Sequence, residues 1–237
     1  MKKIFYLAIC VMACLVSCEE KEPVSPENST TDNPTTEEPV TEENGHAYVE
    51  LGLSVKWATC NVGADSPEEY GDYFAWGETE PKDYYDWSTY KWCNGSEYTL
   101  TKYCNDSYYG TVDNKTVLEA SDDAACANWG GSWRTPTMAE QEELYEQCTW
   151  RWTIQNGVNG YKVTSNKNGK SIFLPAAGCR DDSSLYDAGS RGRYWSSSVV
   201  FNGTTIPFHV PTWELSDCSG WRDGVRYHGQ SVRPVCQ

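Results

Sequence analysis

The hydrophobic pattern opens with one unbroken run, Ile4 to Val16, preceded by Lys2 and Lys3 and followed by Ser17 and Cys18. A charged start, an apolar stretch of about a dozen residues and a small-residue end form the pattern of a secretory signal over residues 1–17. The run falls short of the roughly 20 apolar residues a membrane-spanning helix needs. From residue 18 to 45 the pattern disappears: aromatic residues are absent, and Pro, Thr, Ser, Asn and Glu dominate. Such a stretch buries too little apolar area to offset the entropy of ordering, so it is expected to be a disordered stalk, on the order of 30 Å end to end.

After residue 45 the pattern returns in short pieces. Tyr48–Leu51 and Ser54–Ala58 read as strands around Gly52, and Tyr73–Trp76 as a buried strand. Ser66-Pro67-Glu68-Glu69 starts a brief helix that Gly71 stops. Residues 77–110 carry many Trp and Tyr with no clean period, and read as an ordered loop anchored by its rings. A short helix is predicted from Ser121 to Trp129, ended by Gly130-Gly131. Thr137-Met138-Ala139-Glu140 is a capping box that opens a helix to about Gln147, with Met138, Leu144, Tyr145 and Cys148 as buried positions. Tyr161–Ser165 and Ser171–Leu174 form a hairpin around Asn168-Gly169, while residues 156–160 read as turns. Arg193–Val199, Thr205–Val210 and Ser231–Cys236 are later strands. Two short helices, then many strands and long loops, predict an α+β domain over residues 46–237.

Charge narrows the partners. The chain carries a formal −15, which becomes −17 once Lys2 and Lys3 leave with the signal. Residues 19–45 hold nine acids and one base, leaving −9 on the domain. Such a field excludes nucleic acid and an anionic membrane surface as partners for its net charge. Eight cysteines remain in the domain: Cys60, Cys93, Cys104, Cys126, Cys148, Cys179, Cys218 and Cys236. An exported chain keeps disulfides, but eight cysteines allow 105 connectivities and the sequence selects none. With no CxxC spacing and only His46, His209 and His228, no zinc site and no cofactor is expected.

Leu15-Val16-Ser17-Cys18 resembles a bacterial lipoprotein signal, which implies that Cys18 is lipidated and becomes the mature N-terminus. The acidic cluster Glu19, Glu20 and Glu22 resembles the surface-export signal of Bacteroidetes lipoproteins, which implies an outer-membrane protein facing outward. Six phrases across the domain resemble the major paralogous domain first named in Fibrobacter succinogenes. They are Trp57–Ala64, Gly71–Glu78, Asn128–Thr137, Phe173–Gly178, Tyr194–Ser197 and Ser231–Val235. The resemblance implies a C-type-lectin-like fold, with two helices before a small twisted antiparallel sheet and ligand contacts on long loops. More loosely, the C-terminal part is similar to the variable proteins of diversity-generating retroelements, whose rewritten codons never yield Lys, Glu, Gln, Met or Trp. Residues 199–212 contain none of those five, and from Asp217 to Gly229 only Trp221 does not conform.

The candidate binding residues lie in that last block: Phe201, Asn202, His209, Asp217, Trp221, Arg222, Asp223, Arg226, Tyr227 and His228. Trp, Tyr and Arg supply most binding energy at interfaces, and small polar residues add adaptable hydrogen bonds. Trp195 and Trp213 are assigned to the core instead. The expected function is therefore a non-catalytic, monomeric, surface-anchored adhesin that docks a protein or glycan ligand on a cell surface. Carbohydrate binding is the alternative, independent of calcium because the sugar-binding motifs of C-type lectins are absent. A third reading, similarity to formylglycine-generating enzymes around Trp133–Thr137, needs a late cysteine pair; the surroundings of Cys218 and Cys236 do not match it. The acidic pairs Asp122-Asp123 and Asp181-Asp182 read as solvated loop rather than acid/base machinery.

Overall fold

The computed structural model describes residues 41–200, 207, 209–216 and 220–237. The signal, Cys18, most of the stalk, and Phe201, Asn202 and Asp217 lie outside the described residues. The first elements in chain order are β1 (Glu42–Glu43), β2 (His46–Val49), β3 (Lys56–Ala58), α1 (Ala124–Trp129), α2 (Met138–Gln147), β4 (Cys148–Gln155), β5 (Val158–Ser165) and β6 (Ser171–Pro175). After them come β7 (Cys179–Asp181), β8 (Ser184–Tyr186), β9 (Gly192–Trp195), β10 (His209–Leu215), β11 (Gly220–Val225) and β12 (Val235–Cys236). The architecture is mixed and mostly strand, with all named pairings antiparallel.

The N-terminal edge corrects the expected end of the stalk. Asn44 and Gly45 take φ of 48° and 80°, turning β1 back onto β2. The Glu43 carbonyl accepts Trp133 Nε1 at 2.7 Å, and Asn44 Nδ2 donates to the Trp129 carbonyl. Residues 42–45 thus belong to the folded unit, because an Asn-Gly turn closes a hairpin despite its acidic, stalk-like neighbours. This hairpin leads a sheet of order β1-β2-β3-β12, which brings the two ends of the domain together.

The sheet β9–β10–β11 is buried on both faces over much of its extent. On one face Tyr194, Trp213 and Leu215 join a cluster with Trp57, Leu144 and Leu174. On the other, Trp195 and Val210 join Phe74, Trp76, Tyr103 and Trp133. Trp57, Trp76, Trp133 and Trp195 are among the largest fully buried side chains. Each removes on the order of 200 Å2 from water, at most roughly 5 kcal/mol of transfer free energy. Most of these rings also donate: Trp195 Nε1 to the Phe74 carbonyl at 2.7 Å, Trp76 Nε1 to that of Ser196 at 2.8 Å. The expected core roles of Trp195 and Trp213 are those observed.

The helices follow their end signals. Thr137 and Glu140 make the reciprocal capping box of α2, and Gly130, at φ 63°, ends α1. Leu144 and Cys148 are buried as expected, but Tyr145 is 44% exposed and Met138 only half-buried. The brief helix expected at Ser66 is a turn in which Glu69 instead accepts the backbone N–H of Asp65 at 2.8 Å. The predicted β5–β6 hairpin is present, with one strand more. β4 pairs along its whole length with β5 around Asn156-Gly157, at φ 47° and 83°, so only two of the residues read as turns are the turn. The 77–110 loop is pinned by its rings: Trp92 Nε1 donates to the Gly77 carbonyl at 2.6 Å, and Tyr90 Oη to that of Trp76 at 2.9 Å.

Candidate functional site

The C-terminal block does not form one exposed face. Arg226 is fully buried, against the Trp76 ring with 5.0 Å to its centroid. Its guanidinium donates to the carbonyls of Tyr103 at 2.7 Å and Lys102 at 3.3 Å. Tyr103 has φ 56°, and Asp113 holds this bend by accepting the N–H groups of Tyr103 and Cys104 at 2.9 Å. Arg226 is therefore a clamp on the aromatic loop, out of reach of any surface ligand. Trp221 is half-buried, its ring edge-on to Trp213 at 5.0 Å, because register places both on the same face of the sheet. Arg222 and Asp223 are exposed, and Glu214 draws both Arg193, at 3.1 Å, and Arg222, at 3.8 Å. His209 is half-buried near Asp223, and burial pulls its imidazole below the ordinary value.

Tyr227 and His228 lie elsewhere, in the turn after β11, where that turn meets β7 and the aromatic loop. The Tyr227 ring meets Trp87 edge-on at 5.0 Å, and His228 Nε2 is 3.6 Å from Asp181 Oδ1. Burial lowers the His228 imidazole and Asp181 opposes this. Gly229 exchanges backbone hydrogen bonds with Arg180, at 2.7 and 2.9 Å. A Cβ at Gly229 would sit 2.6 Å from the Tyr85 ring, so the close approach requires glycine.

Beside this junction opens a cleft of about 410 Å3, lined by Gly71–Tyr73, Pro81–Asp83, Tyr85, Arg180 and Ser183. The volume lies within the usual range for small-molecule sites. Its floor is rigid: Tyr85 Oη donates to the Tyr73 carbonyl at 2.6 Å, and Tyr73 Oη to that of Ala177 at 2.6 Å. Lys82 is already neutralised, its Nζ 2.9 Å from Glu78. Arg180 stacks over the Tyr73 ring with 5.2 Å to its centroid, and among the described residues no carboxylate lies within ion-pair distance of it. The Asp72 carboxylate likewise has no hydrogen-bond donor among the described residues, and burial, then Glu80, raises its pKa. On the rim, Tyr84 is 44% exposed and is bonded to Asp182, which raises its phenol. The cleft thus offers a free guanidinium and a free carboxylate on a tyrosine floor.

Comparison with protein-family models, curated proteins and solved structures gives no match. The cleft therefore stands on its own chemistry.

The Asp122-Asp123 pair corrects the expectation of a solvated loop, since both residues are 3% exposed. Asp122 holds Lys102 and Tyr103, while Asp123 caps α1 and accepts the Thr135 hydroxyl at 2.8 Å. Each carboxylate satisfies buried donors, which is structural work. Asp181 and Asp182 do remain accessible. The described cysteines, all of the domain's except Cys218, are unpaired. Among the described residues no group of three or more His, Cys, Asp or Glu is placed to hold a metal, and no helix is long and apolar enough to cross a membrane. Arg180 and Asp72 escaped the sequence reading as a pair: they are more than a hundred residues apart, and Asp72 stood only as part of the Gly71–Glu78 phrase with no role of its own.

Proposed function

We propose that this chain is a surface-anchored lipoprotein module that binds, without chemistry, a polyhydroxylated glycan end in the Arg180–Asp72 cleft. The C-type-lectin-like fold, lipidation at Cys18 and outer-membrane placement belong to the same proposal, supported by the sequence phrases and the signal. The observation that carries it is one guanidinium and one carboxylate in a shared cleft, neither with a polar partner among the described residues. Sugar hydroxyls donate and accept at once, so they match both groups through charge-assisted hydrogen bonds. Tyr227 and His228 form the neighbouring rim and extend contact toward the next residue of a chain-like ligand. Arg226, and Trp221 in large part, leave the binding set.

A glycan array probed with the full chain, beside Arg180→Gln and Asp72→Asn, tests this reading. Binding that falls at least tenfold in both variants supports it; binding indifferent to both refutes it. Cys18→Ala is expected to leave the membrane fraction, because stable anchoring needs the acyl chains. A protein ligand is the second reading, favoured by the ring cluster of Tyr98, Tyr108 and Tyr109. Tyr98 and Tyr108 are 50% and 67% exposed, with centroids 5.4 Å apart.

A further inference from the structure

The outer edge of β4 is open. Its sheet runs β4-β5-β6, so β4 pairs on one side only. The turn at Asn156-Gly157 makes Gln155 and Val158 a hydrogen-bonded pair, and such pairs recur at every second residue of the ladder. Trp150, Trp152 and Ile154 fall between them and turn their N–H and C=O groups away from β5. The neighbouring ladder agrees. Asn159 and Ser165, which stand opposite Ile154 and Cys148, bond on the β6 side instead: Ala176 N–H donates to the Asn159 carbonyl at 2.8 Å, and Ser165 N–H to that of Lys170 at 2.9 Å. Among the described residues, none of the outward groups of β4 has a hydrogen-bond partner.

Natural proteins blunt such edges with proline, a bulge or a short strand. β4 has none of these: its eight residues keep one register with β5. The side chains along the edge sort by face. On one face Trp150, Trp152 and Ile154 form an apolar row, with Trp152 40% and Ile154 67% exposed and Tyr161 edge-on to Trp152 at 5.1 Å. On the other, Arg151 stands directly opposite Lys162. Both are exposed, and among the described residues neither has a carboxylate within ion-pair distance. Like charges directly opposite repel, and this basic pair stands unrelieved in a chain of formal −15. Glu68 reaches the end of the strand but is held by Gln155 and Asn156, at 2.8 and 2.6 Å.

We propose that the β4 edge docks an extended acidic segment of a partner protein, which joins the sheet as an added strand. Alternate side chains of such a strand fall on opposite faces, so one set meets Trp152 and Ile154 and the other meets Arg151 and Lys162. The partner segment therefore carries apolar residues at every second position, with Asp or Glu between them. A second copy of this chain fits less well, because β4 against β4 brings two Arg151–Lys162 pairs together with no acid between them. The surface shares no residue with the Arg180–Asp72 cleft.

The test titrates the purified full chain with a short synthetic peptide of alternating Glu and Val, followed by calorimetry and tryptophan fluorescence. The peptide is expected to bind. Binding about tenfold weaker is expected for an alternating Lys and Val peptide, and for the Glu–Val peptide N-methylated at each Val, which keeps every side chain but loses the donors that face β4. Ile154→Pro removes an N–H the fold does not use, so it is expected to fold and to bind the Glu–Val peptide about tenfold more weakly or worse. Should that variant not fold, Arg151→Glu changes only an exposed side chain; it is expected to weaken Glu–Val binding by about tenfold and leave Lys–Val binding no weaker. No binding of the Glu–Val peptide, equal binding of its N-methylated form, or a native chain that sediments as a dimer with Trp152 buried against its copy would overturn the proposal.

Discussion

Arg226 and Arg180 each lie over an aromatic ring, 5.0 Å from the centre of Trp76 and 5.2 Å from that of Tyr73. The two nevertheless serve different ends. Around Arg226 a left-handed bend at Tyr103 turns two carbonyls inward, and both terminal guanidinium nitrogens are taken by backbone. Around Arg180 the tyrosine hydroxyls point away into the fold and bond to other carbonyls, so the guanidinium keeps its donors free. A ring beneath an arginine is common to clamp and site. What separates them is whether oxygen acceptors converge on the same nitrogen atoms.

The sharpest way to break this distinction is Arg226→Met. It strips the Lys102 and Tyr103 carbonyls of their donor and is expected to cost about 3 kcal/mol or more, read from the urea midpoint. A loss below about 0.5 kcal/mol would erase the difference between the two arginines. Asp123→Ala comes next, at about 2 kcal/mol, because one carboxylate serves both the α1 cap and Thr135.

Acid has a smaller effect. Burial lowers the imidazoles of His209 and His228 below the ordinary value of about 6.5, so the unfolded chain binds more protons there than the fold does. Their contribution is intact above that value and is lost as pH falls through and below it. Urea midpoints taken at pH 7.5 and at pH 5.5 should show the decline, and His228→Asn should reduce it. Asp72 and Asp123 are raised, so they act in the opposite sense and only toward the carboxylate range. Smallest in stability is Arg180→Gln, expected within about 0.5 kcal/mol of the native chain while ligand binding is lost. A variant that both unfolds and stops binding would make Arg180 another clamp.

Much of the local structure was legible. The capping box at Thr137, the Gly130-Gly131 stop and the Asn168-Gly169 turn are short-range devices, and each acts where its residues stand. Five strands were missed, β1, β4, β7, β8 and β11, and the two longest show why. β4, CTWRWTIQ, has aromatic and β-branched residues and an Asn-Gly turn, but it begins where α2 ends, and the helical reading absorbed its start. β11 hid its strand character among Gly, Asp and Arg, which its pairing with β10 overrides. The candidate residues were chosen by type, and type alone could not separate Arg226 from Arg222.

The sequence by itself determined the aromatic domain, the start of α2, the stop of α1 and the core places of Trp195 and Trp213. Those follow from composition and from contacts within a few residues. Only the tertiary structure decided which charges are spent and which are free. Arg180 and Asp72 line one cleft because segments distant in sequence come together there. Whether a buried guanidinium finds an acceptor depends on backbone carbonyls brought in from elsewhere, and no local pattern records where those will point.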